Sequence, residues 1–171
     1  MQSTFKIEEN KKSIRRWLVF FMIMLVASGL TAMPAEWELS TAARFFSQQS
    51  AVGSWVYEVY VGIKNTNKNY PYLFYGYDWL AFAHIILAIL FIGPYKEPEK
   101  NKWVIEFGAI ACLLIIPFSF FAGSIRGIPF WWRLVDCSFG ILGIVPLAIC
   151  YNKISENEKL WSSEEQIIYS L

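Results

Sequence analysis

Six ionisable side chains lie within or at the edges of long apolar segments, and they are the natural candidates for chemistry. They are Asp78, His84, Glu106, Arg126, Arg133 and Asp136. An ionisable group inside a bilayer costs about 2.5–3.5 kcal/mol on insertion scales, so such groups often mark functional sites. Histidine exchanges protons near neutral pH, and His84 is the only one in the chain. A histidine oriented by a carboxylate, beside an arginine that holds an anionic headgroup, could act as a general acid or base.

His84 and Asp136 are expected to lie at similar depths in the bilayer. One apolar segment begins near Trp79 and another near Phe130, and both are expected to enter the bilayer from the same side. At a helical rise of about 1.5 Å per residue, His84 then lies about 7–8 Å and Asp136 about 9 Å below that surface. Arg133 precedes Asp136 by three residues and therefore shares its helical face.

Small residues extend both of these helical faces, and they would let the two helices approach closely. They are Ala81 and Ala88 beside His84, and Gly140 and Gly143 beyond Asp136. We therefore predict a polar pocket of His84, Arg133 and Asp136, with Asp78 and Arg126 around its rim. The alternative is structural: Arg133 pairs with Asp136 or Asp78 and only fixes the register of the helices. Glu106 is expected to stand apart as an isolated intramembrane acid near the opposite surface.

The composition indicates that membrane-spanning helices position these residues. Of the 171 residues, 56% are hydrophobic, 18% are aromatic and only 17% are charged, against roughly a quarter charged in ordinary globular chains. Four long apolar runs cover residues 17–33, 79–95, 103–122 and 130–150. A bilayer span needs about 20 such residues and must be helical, because its backbone polar groups have no other partners in lipid. We predict an all-α protein, a four-helix transmembrane bundle forming a single integral membrane domain over residues 1–171.

Orientation follows from the basic residues. Ten of the fifteen lysines and arginines fall in the tail before the first run, the loop between the second and third, and the tail after the fourth. The richer side is expected to be cytoplasmic. Residues 1–16 and 152–171 are therefore predicted cytoplasmic tails, the latter either a short helix or disordered. Residues 34–78 form an outer loop, with helical periodicity that predicts two short amphipathic helices.

The first apolar run has a second interpretation. It is short and follows Lys11, Lys12, Arg15 and Arg16, as the apolar part of a signal peptide does. Residues 27–29 would form a weak cleavage site. A retained anchor is the favoured interpretation, because no polar break follows the run.

Several classes of function are excluded by what the sequence lacks. One histidine does not supply a bis-histidine haem site or a three-histidine zinc site, and no paired-cysteine motif occurs among Cys112, Cys137 and Cys150. Neither a cofactor nor a metal is expected. The net charge of +1 argues against a nucleic-acid partner.

Residues 75–84 (YGYDWLAFAH) and 125–140 (IRGIPFWWRLVDCSFG) resemble segments of small, uncharacterised bacterial four-span inner-membrane proteins. The resemblance covers most of the chain between Met33 and Tyr151. It implies a location in the bacterial inner membrane, but no substrate and no catalytic residue.

Three functions follow as hypotheses. The first is a non-catalytic accessory or assembly subunit, or a binder of a lipid or lipophilic ligand. The second is a membrane-embedded enzyme acting on a lipid or quinone through His84, Asp136 and Arg133. The third is a small proton- or ion-coupled carrier. The expected partners are membrane lipids and either another membrane protein or a second copy of the chain.

Overall fold

The computed structural model describes the backbone of residues 2–169. It describes the side chains in that range except those of residues 2, 164, 165 and 167–169. Seven α-helices follow one another, and no strand occurs between residues 2 and 169. They are α1 (Gln2–Ala32), α2 (Ala35–Phe45), α3 (Ala51–Asn69), α4 (Tyr75–Leu90), α5 (Ile92–Lys96), α6 (Lys102–Ile125) and α7 (Phe130–Tyr169). A short 3₁₀ helix, Pro71–Phe74, leads into α4.

Four helical segments within the described residues are long and apolar enough to cross a membrane. They are Ser3–Ala32, Pro71–Lys96, Lys102–Ile125 and Phe130–Ser163. The predicted all-α fold with four membrane-spanning helices is confirmed. The segment between the first two contains the two predicted helices, α2 and α3, although α3 has 19 residues and is longer than expected.

The predicted tails continue the first and last spans as helix. α1 begins at Gln2 and has 31 residues, while α7 has 40 residues and continues to Tyr169. At about 1.5 Å per residue, both helices are longer than a hydrocarbon core of about 30 Å. The second tail is therefore helical rather than disordered up to Tyr169. Residue 1 and residues 170–171 of the predicted tails lie outside the described residues.

The chain divides into two compact units. Unit 1 comprises residues 1–22 and 89–171, and unit 2 comprises residues 23–88. The core of unit 1 is formed by stripes along α1 and α7. The buried members include Ile7, Ile14, Leu18, Phe21, Leu147, Cys150 and Ile154. Their spacing of three, four and seven residues keeps each set on one helical face.

Within unit 1, α6 and α7 pack closely through glycine. A Cβ atom on Gly140 would lie 2.5 Å from the carbonyl oxygen of Cys112, and one on Gly143 would lie 2.7 Å from the Cys112 Sγ atom. The small-residue stripe of α7 therefore receives α6 at Cys112. The packing of the same face of α7 against α4 stays a prediction.

Unit 2 contains α2 and α3, joined by a tight turn. Ser50 caps α3, because its Oγ atom accepts a 3.0 Å hydrogen bond from the Gly53 backbone N–H. Gly53 is required here, since a Cβ atom would lie 2.1 Å from the carbonyl oxygen of Ser47. The turn thereby fixes the antiparallel return of α3 along α2.

Candidate functional site

The residues of the predicted pocket belong to both units. His84 and Asp78 lie in unit 2, whereas Arg126, Arg133 and Asp136 lie in unit 1. The pocket as a single cluster therefore stays a prediction.

His84 lies in the middle of α4 and is half-buried. Its Nδ1 atom is 2.8 Å from the carbonyl oxygen of Leu80, one turn earlier. A carbonyl only accepts, so Nδ1 carries the proton and donates. In the neutral ring, Nε2 is then the atom with a lone pair to offer.

α1 and α4 come together beside His84. A Cβ atom on Gly29 would lie 2.7 Å from the His84 Cβ atom and 3.0 Å from the carbonyl oxygen of Ala81. Ala81 is fully buried. The small residues beside His84 thus serve, within unit 2, for close packing of α4 against the end of α1.

Arg133 secures the loop between α6 and α7. Its Nε atom donates to the carbonyl oxygen of Ile128 at 2.8 Å, and its Nη1 atom donates to Ser124 Oγ at 2.8 Å. Its side chain also packs on Gly123, where a Cβ atom would lie 2.9 Å from Cδ and Nε. Within unit 1, its hydrogen bonds therefore go to this loop and not to Asp136.

The loop itself closes α6 with a Schellman motif. Gly127 has a φ of +68°, and this left-handed conformation is strained for residues with a Cβ atom. The Ile128 N–H donates to the carbonyl oxygen of Gly123 at 2.9 Å, and the Gly127 N–H donates to that of Ser124 at 3.4 Å. These bonds satisfy the last carbonyl groups of the helix.

The other three predicted residues are less constrained. Asp136 is half-buried, and its carboxylate has no hydrogen bond or ion pair among the described residues of unit 1. Arg126 is the exposed C-cap residue of α6. Asp78 is exposed and lines a hollow of about 260 Å³ with Tyr75, Trp79 and Phe82.

Glu106 borders a groove between α6 and α7 in unit 1. The groove has a volume of about 460 Å³, and its polar members are Glu106, Tyr151 and Asn152. Its remaining lining is aliphatic and includes Ile105, Ala109, Ile110, Leu147 and Ala148. Glu106 is exposed and stands four residues, or about 6 Å, from the start of α6. The sequence predicted this isolated acid but not the groove around it.

A buried polar network joins α1, α7 and the loop at residues 97–101, and the sequence reasoning missed it. Asn10 and Asn157 are 1% and 0% exposed. Asn10 Nδ2 donates to Asn157 Oδ1 at 2.9 Å and to Glu156 Oε2 at 3.0 Å, while Lys153 Nζ donates to Asn10 Oδ1 at 3.1 Å. Asn157 Nδ2 in turn donates to Glu99 Oε1 at 3.2 Å.

Ion pairs continue this network towards the surface of unit 1. Lys102 Nζ lies 2.6 Å from Glu158 Oε2 and 4.8 Å from the centre of the Tyr151 ring. In the same loop, Lys100 donates to Glu97 at 2.9 Å, and this hydrogen bond, together with the charge of the carboxylate, raises the pKa of Lys100. The beginning of α1 and the last part of α7 are thus joined by hydrogen bonds as well as by apolar packing.

No group of three or more His, Cys, Asp or Glu side chains among the described residues is arranged to hold a metal ion. Comparison of the chain with protein-family models, curated proteins and solved structures finds no match.

Proposed function

We propose that this chain is a non-catalytic, multi-pass protein of the bacterial inner membrane that binds a lipid. Ten of the fifteen lysines and arginines on one side favour an orientation with both termini in the cytoplasm. The bacterial location rests on the resemblance of residues 75–84 and 125–140 described above.

The observation that carries the proposal is the groove bordered by Glu106. Its volume of about 460 Å³ falls within the range of about 300–1,000 Å³ that ligand pockets occupy. One wall is aliphatic and can accept an acyl chain, whereas the carboxylate of Glu106 and the amide of Asn152 require hydrogen-bonding partners. Hydrocarbon tails offer none, so an amphiphile satisfies both parts of the groove.

The charges indicate which headgroup fits. Glu106 favours a cationic hydrogen-bond donor, and Lys102, one helical turn before it on α6, has its Nζ atom 4.8 Å from the ring centre of Tyr151, which also lines the groove. A zwitterionic aminophospholipid would place its ammonium group at Glu106 and its phosphate towards Lys102. This arrangement favours phosphatidylethanolamine over phosphatidylglycerol, which lacks the ammonium group.

Native mass spectrometry of the full chain, released from mild detergent, tests this proposal. We expect phosphatidylethanolamine to be retained at least fivefold more than phosphatidylglycerol, and Glu106→Gln to remove that preference. Glu8→Gln is the matched control, because Glu8 is an exposed acid on α1 that does not line the groove. Equal retention of the two lipids by the wild type, or an equal loss of preference in Glu8→Gln, would exclude this groove as a selective site.

A second candidate, a membrane-embedded enzyme, is favoured by the fixed tautomer of His84. With Nδ1 donating to Leu80, Nε2 is the atom that would take a proton from a substrate. The test is incubation in nanodiscs with a lipid extract and a quinone, followed by mass analysis of the products. A product formed by the wild type and not by His84→Ala would support it, whereas identical products from both would contradict it.

The beginning of the first span also contributes to the core of unit 1. Ile14 and Asn10 pack in the core of unit 1, and Cys150 Sγ lies 3.7 Å from the Ile14 carbonyl oxygen. Cleavage near residues 27–29 would remove these contacts. We therefore propose a retained anchor, and an N-terminal epitope tag that remains on the mature chain after membrane isolation is the expected result. Loss of that tag would show cleavage.

A further inference from the structure

A second concave surface lies in unit 2, and it shares no lining residue with the lipid groove of unit 1. It is a cavity of about 490 Å³ bordered by α2, α3 and the 3₁₀ helix before α4. Its lining includes one carboxylate, one amide and three aromatic side chains: Glu36, Asn67, Trp37, Tyr60 and Phe74. A carboxylate beside aromatic rings favours a cation as the ligand.

Glu36 gives the cavity a fixed negative charge. Asn67 Nδ2 donates to its Oε2 atom at 2.8 Å, and this bond between α2 and α3 holds the carboxylate in place. Among the described residues of unit 2, Glu36 has no ion-pair partner, and it is half-buried. A cation entering the cavity would therefore meet an uncompensated carboxylate.

The aromatic residues add a second attraction for a cation. The faces of tryptophan, tyrosine and phenylalanine rings attract ammonium groups, most strongly when these are quaternary or poorly hydrated. Tyr60 already attracts one cation of the chain itself, since Lys64 Nζ lies 5.5 Å from its ring centre and donates to its hydroxyl oxygen at 3.3 Å. A ligand cation would therefore use the faces of Trp37 and Phe74, which line the same cavity.

An inorganic ion fits this lining less well than an organic one. Ca²⁺ takes six to eight oxygen ligands and Mg²⁺ six, whereas the side chains lining the cavity offer one carboxylate, one amide and the hydroxyl groups of Ser40 and Tyr60. A volume of about 490 Å³ instead accommodates a substituted ammonium group with the carbon chain attached to it. We propose that this cavity binds an organic cation of the quaternary ammonium class, either as a free solute or as the headgroup of a choline lipid.

The test uses the full chain in phosphatidylglycerol nanodiscs, labelled with 5-fluorotryptophan. The ¹⁹F resonance of Trp37 is assigned by its loss in Trp37→Phe, and choline is then added. The uncharged isostere 3,3-dimethyl-1-butanol is added in a parallel titration. We expect a saturable shift of the Trp37 resonance with choline and none with the isostere at the same concentrations.

Glu36→Gln removes the charge and keeps an oxygen that can accept from Asn67. We expect it to weaken choline binding about fivefold, the upper end for one exposed charge pair. Glu38→Gln is the matched control on the same helix, because Glu38 does not line the cavity, and its affinity should stay within twofold. The comparison of choline with the isostere needs no variant and stands even if Glu36→Gln misfolds.

Three results would overturn the proposal: no saturable shift, an equal shift with the uncharged isostere, or equal weakening by both glutamine variants. Phosphatidylcholine nanodiscs distinguish the two sources of the cation. If the Trp37 resonance is already shifted there and added choline changes nothing, the ligand is a lipid headgroup. If choline titrates equally in both kinds of nanodisc, the ligand is a free solute.

Discussion

Replacing either member of the buried Asn10–Asn157 pair with leucine should loosen the ends of α1 and α7. Leucine branches at the same carbon as asparagine, so the change mainly removes the amide. In Asn10→Leu, Asn157 Oδ1 keeps its buried position but loses the donor 2.9 Å away. The bonds to Glu156 and Lys153 are lost as well.

The magnitude follows from the burial of the two amides. A buried acceptor left without a partner costs about 1–3 kcal/mol. The partly exposed Glu156 and Lys153 can return to water, so their bonds add only about 0–1 kcal/mol. The expected loss for Asn10→Leu is therefore about 2–4 kcal/mol. For Asn157→Leu, which also frees Glu99, it is about 1–3 kcal/mol.

The double variant distinguishes this mechanism from a general loss of packing. With both amides replaced by apolar groups, no buried donor or acceptor of the pair remains unsatisfied, and such replacements are often close to neutral. We expect the double variant to be more stable than the sum of the two single losses by at least about 1 kcal/mol.

Amide hydrogen exchange in nanodiscs measures the effect on residues 3–16 and 152–163. Where exchange reports the opening equilibrium, 2–4 kcal/mol corresponds to acceleration of about 30- to 1,000-fold in Asn10→Leu. Lys12→Leu, at an exposed site on α1, is the control and should change exchange less than threefold. Exchange within threefold of the wild type in both single variants, or strict additivity in the double variant, would refute the reasoning.

Further predictions concern close packing and the loop after α6. Gly140→Ala should lower the thermal midpoint in detergent by about 3–10 °C, because its Cβ atom would lie 2.5 Å from the Cys112 carbonyl oxygen and such overpacking costs about 1–3 kcal/mol. Gly62→Ala should raise it by about 1–3 °C, since a Cβ atom there meets nothing within 4 Å and helix propensity improves; a fall would contradict this. Arg133→Met should accelerate amide exchange of residues 123–133 about tenfold, because the hydrogen bonds to Ser124 and to the Ile128 carbonyl oxygen are lost. Unchanged exchange would show that these bonds do not hold the loop.

The number and type of spanning helices could be predicted because the length of an apolar run is itself the physical requirement for crossing a bilayer. The helical extensions were harder to predict, since residues 152–163 are mostly polar. One signal was nevertheless present: Cys150, Ile154 and Asn157 continue a spacing of four and three residues beyond the apolar run. Asn10 continues the stripe of α1 in the same way between Ile7 and Ile14.

The predicted pocket shows what periodicity does not supply. Spacing places a residue on a helical face, but it does not say which helix packs against that face. Within unit 1, Gly140 receives Cys112 of α6, a neighbour that the spacing of small residues did not identify. Likewise, Arg133 was expected to meet a carboxylate, and within unit 1 its hydrogen bonds go to Ile128 and Ser124. Both outcomes depend on neighbours that a single sequence does not identify.

The polar groups of this chain differ in how far the fold itself satisfies them, and that difference indicates where ligands would bind. Asn10 and Asn157 use their amides on each other and on nearby charges, so little capacity remains for a ligand. Glu36 and Glu106 instead stand in concave, partly apolar surfaces and have no ion-pair partner among the described residues of their own units. A ligand that supplies the missing positive charge gains both the electrostatic attraction and the burial of its apolar part. The two cavities are therefore stronger candidates for binding than the single histidine with which the sequence reasoning began.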